Sequence, residues 1–499
     1  MRYFRCGRGF SLDWARPVFV AAWLLAGICT PALAAESDGL ILDEAFDTGI
    51  KPTQTQAKAK AETKPADNGS FYQRHLANKF ALKLSQQIYS QLSRHTTDSG
   101  VEKQPTVEDN RLNINIKYQN PFAAGWNLQA SAQAKVYWPG DYEYGNETAS
   151  IDMEGRVENL EARLNELYLT KNFAKHTFKL GRQTIVWGET EGNSILDTLN
   201  TTEFRDLSII EIEDARLNQW FLVWDYFHND SQRLSTFVNF EPQFNPAFRT
   251  NSPAYTQRLT ARDAPDDKQR VEFGSRWQLT VEHSDLALMA AYLYENSLSF
   301  DYDALKPFQL QANDNAYWLL GASANRAIGK LLLKLDLAFS HGALAAITVP
   351  GGGFFSPPRR PSSVRGEQVG LSAGFEYALS NEQSLSVSVL ARSFPWLETS
   401  LSPDQRNNTD DLFGTWLMRY SHSFSNGDWV FSSTMNGTIN GDRTLASGML
   451  SYSFDDHWSL STQVIGTWAE KSNILANRIN SFAILDQDLR LGFTLTYSH

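Results

Sequence analysis

The chain has 499 residues, and its 45 Lys and Arg against 56 Asp and Glu give a net charge of −11 at pH 7. This acidic balance argues against nucleic-acid binding, because little positive charge is available to neutralise phosphate. A mean hydropathy of −0.38 argues against a bundle of membrane helices. Aromatic residues nevertheless make up 12% of the chain. That combination is typical of transmembrane barrels, whose strands alternate lipid-facing and lumen-facing residues.

The first 34 residues have the features of a secretory signal peptide. Arg2, Arg5 and Arg8 precede an apolar run over residues 18–29, and the small-x-small sequence Ala-Leu-Ala follows at 32–34. A transmembrane anchor is the alternative, but the apolar run is too short to span a bilayer comfortably. We therefore predict residues 1–34 as a signal peptide, with the mature chain beginning at residue 35.

Residues 35–69 are predicted to form a flexible periplasmic segment. The stretch KPTQTQAKAKAETKPADNG at 51–69 has no apolar periodicity and cannot build a core. A short apolar and acidic patch, DGLILDEAF, precedes it at 38–46. The patch is either part of a disordered terminus or a docking peptide for a periplasmic or inner-membrane transport partner.

From about residue 76 onwards, apolar and polar residues alternate in many separate runs. Leu333, Leu335 and Leu337, for example, alternate with Lys334 and Asp336. A period of two predicts strands with one apolar and one polar face.

The links between these runs alternate between short and long. Short links lie at 425–428 and 455–457, and long ones at 139–159, 188–214 and 341–366. An outer-membrane barrel sorts its connections in this way, into tight periplasmic turns and long outer loops. We therefore predict an all-β fold, a closed antiparallel transmembrane β-barrel of about 18 strands.

The predicted barrel covers residues 70–499, from a first strand at 76–90 to a last strand at 487–497. Phe493 and Tyr497 suit closure against the first strand, and resemble the signal that the outer-membrane assembly machinery recognises. Tryptophans at predicted strand ends are typical of interfacial girdles. These tryptophans are Trp126, Trp138, Trp416, Trp429, Trp458 and Trp468.

The stretch KLGRQTIVWGETEGNSILDTLN at 179–200 begins as a strand and continues into an acidic loop. We predict a strand over 176–187 and a loop over 188–214 that folds into the lumen, because its apolar residues need a surface to pack against. A solvated surface loop is the alternative. Charges inside such a pore tune its selectivity. We predict that Arg182 and Arg216 hold the loop by pairing with its acids, such as Glu189, Asp197 and Asp214. The predicted pore-constriction residues are Arg182, Glu189, Asp197, Glu203, Asp206, Glu211, Glu213, Asp214 and Arg216.

Three short motifs in this region carry a family resemblance. They are LGRQTIVWGE at 180–189, Ile-Leu-Asp at 195–197 followed by Leu-Asn at 199–200, and Glu-Asp-Ala-Arg-Leu at 213–217. The chain resembles a widespread, poorly characterised family of Gram-negative outer-membrane barrels, and is similar to the alginate-export porins. The resemblance implies the barrel fold and does not identify a substrate.

The sequence contains no motif that would support catalysis. A Gly-x-Ser-x-Gly elbow, a His-Glu-x-x-His motif and a Walker loop are all absent, so we predict no enzyme, no cofactor and no metal. Positively and negatively charged residues both occur at positions predicted to face the lumen. They favour a porin-like channel of the bacterial outer membrane that passes or exports polar or anionic solutes or polymers. Those residues are Lys117, Lys135, Lys179, Lys334, Asp336 and Arg490. The alternatives are a non-conducting barrel in adhesion or envelope assembly, and a barrel hydrolase.

The expected partners are outer-membrane lipid, lipopolysaccharide and the assembly machinery, and no nucleic acid. Arg359, Arg360 and Arg365 in the loop GGGFFSPPRRPSSVRG are candidates for binding lipopolysaccharide phosphates. A solvated basic loop is the alternative interpretation of the same residues.

Overall fold

The chain divides into two units, residues 1–68 and 69–499, and the structure describes residues of the second. The predicted signal peptide and the segment 35–69 therefore lie outside the described residues. The computed structural model describes residues 79–92, 95–96, 102–103, 107–122, 125–138, 154–157, 160–203, 206, 208–209, 212–246, 262–263, 269–302, 310–350, 359–397, 412–439, 441, 443–469 and 488–499.

The second unit is built around one large antiparallel sheet of 19 strands. One of them, Glu154–Val157, is short and pairs with the strand Leu160–Phe173. The other 18 are β1 Phe80–Gln91, β2 Val107–Phe122, β3 Trp126–Tyr137, β4 Leu160–Phe173, β5 His176–Gln183, β6 Gln219–Asn229, β7 Gln232–Asn239, β8 Glu272–Val281, β9 Ser284–Tyr294, β10 Ala316–Ile328, β11 Leu331–Pro350, β12 Arg359–Ala378, β13 Gln383–Ser393, β14 Leu412–Phe424, β15 Trp429–Thr438, β16 Arg443–Ser453, β17 Trp458–Ala469 and β18 Asp488–Ser498.

Each strand pairs with its neighbours in sequence, and the last strand returns to the first. β18 runs antiparallel to β1, with Leu84 opposite Tyr497 and Ile88 opposite Phe493. This pairing leaves the sheet without an edge and confirms the predicted closed barrel of 18 strands. The predicted closure of the C-terminal strand against the first strand is also correct.

The alternation of side chains separates an apolar outer face from an inner face that carries the buried charged and polar residues. On β11, Leu333, Leu335 and Leu337 are 41–46% exposed, whereas Lys334 and Asp336 are 8% and 0% exposed. A soluble protein would bury the leucines and expose the charges. The inverted pattern follows from barrel closure, since successive residues of a strand point to opposite sides of the wall.

Long and short connections lie at opposite ends of the barrel, as the sequence predicts. Tight turns join β4 to β5, β6 to β7 and β8 to β9, whereas long connections join β3 to β4, β5 to β6 and β7 to β8. The link between β15 and β16, over residues 439–442, is the shortest at the long-loop end.

Two predicted boundaries were wrong. The loop predicted at 341–366 is largely a hairpin, because β11 continues to Pro350 and pairs with β12 from Arg359 onwards. Pro361 is tolerated there because it lies beyond the end of β13, where its missing N–H has no strand to bond. The strand predicted over 176–187 ends at Gln183, and the chain then turns inwards.

Few other elements occur in the described part of the chain. Short paired strands lie at His95–Thr96 with Glu102–Lys103, and at Thr201–Thr202 with Arg216–Leu217. A small sheet joins Arg262–Asp263, Ser299–Tyr302 and Leu310–Asn313. One helical turn covers Ile212–Ala215. None of the described helices is long and apolar enough to cross a membrane.

Aromatic side chains on the outer face cluster near both ends of the strands. At the turn end, Trp224 lies among aromatic rings and donates from Nε1 to His176 Nδ1 at 3.1 Å. At the long-loop end, Phe273, Tyr292 and Trp318 contact one another with ring centroids 5.2–5.9 Å apart. Two such bands are typical of the headgroup levels of a membrane.

The backbone of β4 lies close to Gly181 of β5. Its φ is 137°, and a Cβ at this position would lie 2.1 Å from the Leu167 carbonyl oxygen. Only glycine fits here, which explains the glycine in the motif LGRQ.

We therefore expect Gly181→Ala to strain the hairpin of β4 and β5 by about 1–3 kcal/mol. The temperature at which the folded band disappears on heat-modifiability gels should fall. Gly448→Ala is the control, because a Cβ there meets its nearest atom at 3.9 Å. Equal melting of the two variants and the parent would contradict the close approach.

Candidate functional site: a segment folded inside the barrel

The connection between β5 and β6 folds into the barrel. We call residues 184–218 the inner segment, of which 184–203, 206, 208–209 and 212–218 are described. It contacts the inner faces of strands that precede it in the chain and of strands that follow it. Two kinds of contact hold it. Its first part, residues 184–200, packs mainly through apolar side chains, and its second part, residues 201–218, is held mainly by ion pairs.

The first part packs as a small hydrophobic core against the inner wall. Trp187, Ile195, Leu196 and Leu199 are all at most 8% exposed. They form one cluster with inward residues of β6 to β11, which are Phe221, Val223, Phe237, Ala287, Met289, Ala291, Leu293, Tyr317, Leu319 and Ala338. Burial of this kind contributes roughly 1.5–3 kcal/mol for each large apolar side chain.

Two glycines of the wall make hollows for the segment. A Cβ at Gly321 would lie 2.6 Å from Leu196 Cδ2, and one at Gly370 would lie 2.4 Å from Ile195 Cγ1. Ile195 and Leu196 therefore occupy the space that side chains would take in β10 and β12.

Asp336 of β11 anchors the first part by hydrogen bonds. Its Oδ1 accepts from the Glu189 backbone N–H at 2.8 Å, and its Oδ2 accepts from the Thr190 N–H at 3.0 Å and the Ser194 hydroxyl at 2.8 Å. On the neighbouring strand, the Ser372 hydroxyl accepts from the Ile195 N–H at 2.8 Å. A fully buried carboxylate is thus satisfied by the segment itself.

The tip of the first part reaches β14. The Thr415 hydroxyl donates to Asn193 Oδ1 at 2.7 Å. A Cβ at Gly192 would lie 2.7 Å from Arg419 Nη2 and 2.8 Å from Leu417 Cδ2. The segment therefore extends from β5 across the inner faces of β7 to β13 as far as β14.

The second part reaches in the other direction, to β2, β3 and β4, through charges. Asp206 Oδ2 lies 2.8 Å from Arg111 Nη2 and 3.0 Å from Lys135 Nζ. Glu203 pairs with Arg163 at 3.0 Å. All of these side chains are at most 9% exposed, so solvent screens the pairs weakly.

The pKa of Asp206 is well below its ordinary value of 3.8. Burial alone would raise it, but the charges of Arg111 and Lys135, with hydrogen bonds from Ser208 and Lys135, outweigh that effect. The carboxylate therefore stays ionised throughout the physiological pH range.

Further bonds fix the shape of the segment and its base. Arg216 donates from Nε and Nη2 to Asp197 Oδ2 at 2.9 and 2.7 Å. Asn200 bridges back to Ile185 through both its amide nitrogen and its carbonyl oxygen, at 2.7 and 3.1 Å. The Asn296 amide donates to the backbone carbonyls of Thr198 and Asn200 at 2.9 and 2.7 Å. The segment is a folded unit rather than a loose loop.

The structure brings together most of the predicted constriction residues. Asp197, Glu203, Asp206 and Arg216 form the ion pairs described above. Glu189 pairs with Arg276 at 3.1 Å and accepts from Asn325 at 2.7 Å.

The remaining predicted residues contribute less to the described geometry. Arg182 is 2% exposed and lies opposite Leu167 and Trp220 in the strand register, and its pairing with the acids of the segment stays a prediction. Asp214 is exposed. Glu213 lies in the helical turn, and Glu211 lies outside the described residues.

Most wall residues that hold the segment were not predicted as part of the site. They are Arg111, Arg163, Arg276, Ser372 and Thr415. Their signal in the sequence was only a polar residue at an inward position of an alternating run. Lys135 and Asp336 were recognised as inward-facing, but their partners lie 71 and 142–147 residues away in the chain. The described residues contain no group of His, Cys, Asp or Glu arranged to hold a metal.

Fold and site together define a closed β-barrel with a polar interior that one of its own connections crosses. The chain belongs to the family described as "Protein of unknown function (DUF1302)", whose model matches residues 109–483. This match confirms the predicted membership in a family of uncharacterised porin-like barrels. The likeness to alginate-export porins stays a prediction. No curated protein matches the chain.

Several solved barrels are similar to this chain. OpdK of Pseudomonas aeruginosa with vanillate is 11% identical, with 85% of this chain and 99% of that chain covered and a TM-score of 0.47. OccAB3 of Acinetobacter baumannii is 11% identical, with coverage of 84% and 98% and a TM-score of 0.45. A BenF-like porin from Pseudomonas fluorescens Pf-5 is 9% identical, with coverage of 84% and 98% and a TM-score of 0.46.

The low pKa of Asp206 gives a pH prediction. A carboxyl whose pKa is depressed on folding stabilises the fold above its unfolded pKa, and loses that contribution as the pH falls through the folded pKa. Asp206→Asn should therefore lower the melting temperature by a similar amount from about pH 8 to about pH 5, and the difference should vanish only well below pH 4. If the difference in melting temperature were already lost at about pH 5, the ion pairs of Asp206 with Arg111 and Lys135 would be contradicted.

The hollow at Gly370 gives a second prediction. Gly370→Val should displace Ile195 and loosen the first part of the inner segment. Thr190→Cys reports this change, because Thr190 is 2% exposed and its new thiol should react with maleimide only after displacement. Labelling should rise severalfold in Gly370→Val and stay unchanged in Gly448→Val. Equal labelling of both would show that the segment does not depend on the hollow.

Proposed function

We propose that this protein is an outer-membrane channel for polar solutes, and that the inner segment narrows its lumen. The main support for this proposal is the inner segment, which is fixed inside a closed barrel from β2 on one side to β14 on the other. The apolar outer face and the two aromatic bands support placement in a membrane. The polar residues on the inner face outside the apolar cluster support passage of polar rather than apolar solutes.

Three observations support a constriction that is fixed rather than transient. The apolar cluster is buried as in a soluble core, Asp336 accepts three hydrogen bonds, and the ion pairs at the far end are shielded from solvent. Each hydrogen bond to a charged group contributes about 1.5–3 kcal/mol, so together these contacts hold the segment against thermal motion.

The same tight packing favours one alternative, a barrel that does not conduct and serves in adhesion or envelope assembly. The two functions differ in whether a water-filled path remains beside the segment. Contact of Arg359, Arg360 and Arg365 with lipopolysaccharide phosphates is proposed as a separate role of the outer hairpin. It is independent of conduction.

The test is single-channel conductance in planar bilayers. Asp336→Ala removes three hydrogen bonds to the segment, so its conductance should exceed that of the parent. Asp225→Ala is the matched control. Asp225 is also a buried inward carboxylate, but it pairs with Arg233 of the neighbouring strand at 2.7 Å.

Each outcome separates the alternatives. A silent parent would favour the non-conducting barrel. A conducting parent with identical conductance in Asp336→Ala would show that the inner segment is not the constriction. Larger conductance in Asp225→Ala as well would show a general effect of removing an inward charge.

A further inference from the structure

The described contacts of the inner segment are distributed unevenly around the barrel. Its first part is fixed to β6 to β14, and its second part to β2 to β4. The strands β15 to β18 and β1 make up the remaining wall, which we call the open arc. Inward side chains near the middle of this arc, such as Ser432, Ser451 and Ser461, are half-buried and in contact with solvent in the lumen.

The middle of the open arc carries neutral hydrogen-bonding groups. Their strand registers place Ser432, Ser447, Ser461, Thr494 and Ser85 on the inner face of five successive strands. Charged residues lie towards the ends of the strands, as at the beginning of β18, where Asp488 and Arg490 pair at 2.7 Å. The arc is therefore a hydroxyl-rich surface with little net charge at its centre.

These groups form bonds across neighbouring strands. Ser451 and Ser461 bond through their hydroxyls at 2.9 Å, and Ser85 and Thr496 do so at 3.1 Å. Gln463 donates to the Ser447 hydroxyl at 3.2 Å. Ser85, Thr496, Ser447 and Gln463 are at most 8% exposed, so their bonds hold the wall together. Ser451 and Ser461 are half-buried, and because each hydroxyl has one donor and two acceptor sites, their remaining sites can reach a solute.

Gln463 also accepts a hydrogen bond from the Tyr89 hydroxyl. The Tyr89 ring occupies the hollow at Gly492, where a Cβ would lie 2.2 Å from Tyr89 Cε1. Tyr89 therefore lies against the wall instead of projecting into the lumen.

Such a wall treats neutral and charged solutes differently. A sugar or polyol can exchange its hydrogen bonds with water for bonds with hydroxyls and amides at little net cost. An ion that sheds water beside a neutral wall finds no opposite charge to compensate for its lost hydration.

We propose that the passage follows the open arc and that its preferred solutes are uncharged polyhydroxylated molecules, such as sugars and polyols. This inference rests on the proposed channel function and narrows its solute class. It also assigns the passage to one side of the lumen, away from the inner segment.

The first test compares three probes of similar size in liposome-swelling assays with the parent protein. Glucose is neutral, gluconate is an anion and glucosamine is a cation at neutral pH. Swelling in glucose should be severalfold faster than in either charged probe. Equal rates for the three, or a faster rate for one charged probe, would overturn the solute class.

The second test locates the passage with single cysteines, because the described residues contain no cysteine. Ser461→Cys lies on the open arc, whereas Ala287→Cys lies in the cluster under the inner segment. A membrane-impermeant sulfonate thiol reagent should sharply reduce conductance in Ser461→Cys and leave Ala287→Cys unchanged. An unchanged Ser461→Cys that mass spectrometry shows to be modified, or one that the reagent fails to modify, would overturn the assignment.

The outcomes separate this inference from the channel function. If the parent conducts salt but does not favour glucose, the channel function stands and the solute class is wrong. If the parent neither conducts nor supports swelling, both are wrong.

Discussion

Closure of the sheet by β18 against β1 is the constraint on which the rest of the structure depends. In a membrane, an unpaired backbone N–H or C=O costs several kcal/mol, so a sheet is stable there only when it has no edge. The nine residue pairs from Lys83 opposite Ser498 to Gln91 opposite Arg490 remove that edge. Closure also separates the two faces of every strand, which is why leucines lie outside and charged residues lie inside.

A closed barrel of this size encloses more space than its own inward side chains fill, and the inner segment occupies part of that space. The two parts of the inner segment are held by different interactions. The apolar part near β6 to β11 depends on burial and responds weakly to salt, whereas the part near β2 to β4 depends on ion pairs in a shielded site. The segment thereby makes the lumen asymmetric, with a filled side and a hydroxyl-rich side.

The sequence predicted the barrel well because alternation is a local signal repeated in every strand. It also indicated that the connection after β5 folds inwards, since Ile195 and Leu196 needed a surface to pack against. It did not predict which wall they meet. In the sequence, Gly321 and Gly370 are only residues that weaken a strand. In the structure, their missing side chains leave the space that Leu196 and Ile195 occupy. Sequence spacing likewise carries no information about partners such as Asp206 and Arg111, which come together only when the barrel closes.

The central claim is that the inner segment reaches across the lumen to β14, and crosslinking in native membranes tests it most directly. Asn193 and Thr415 are 222 residues apart in sequence, yet their side chains are in hydrogen-bond contact at 2.7 Å. Oxidation of the double variant Asn193→Cys, Thr415→Cys should form an intramolecular disulfide in most molecules, detected by a shift on non-reducing gels. The pair Asn193→Cys, Ser451→Cys, which joins the segment to the open arc, should stay reduced. A reduced first pair, or equal crosslinking of both pairs, would contradict a segment fixed across the lumen.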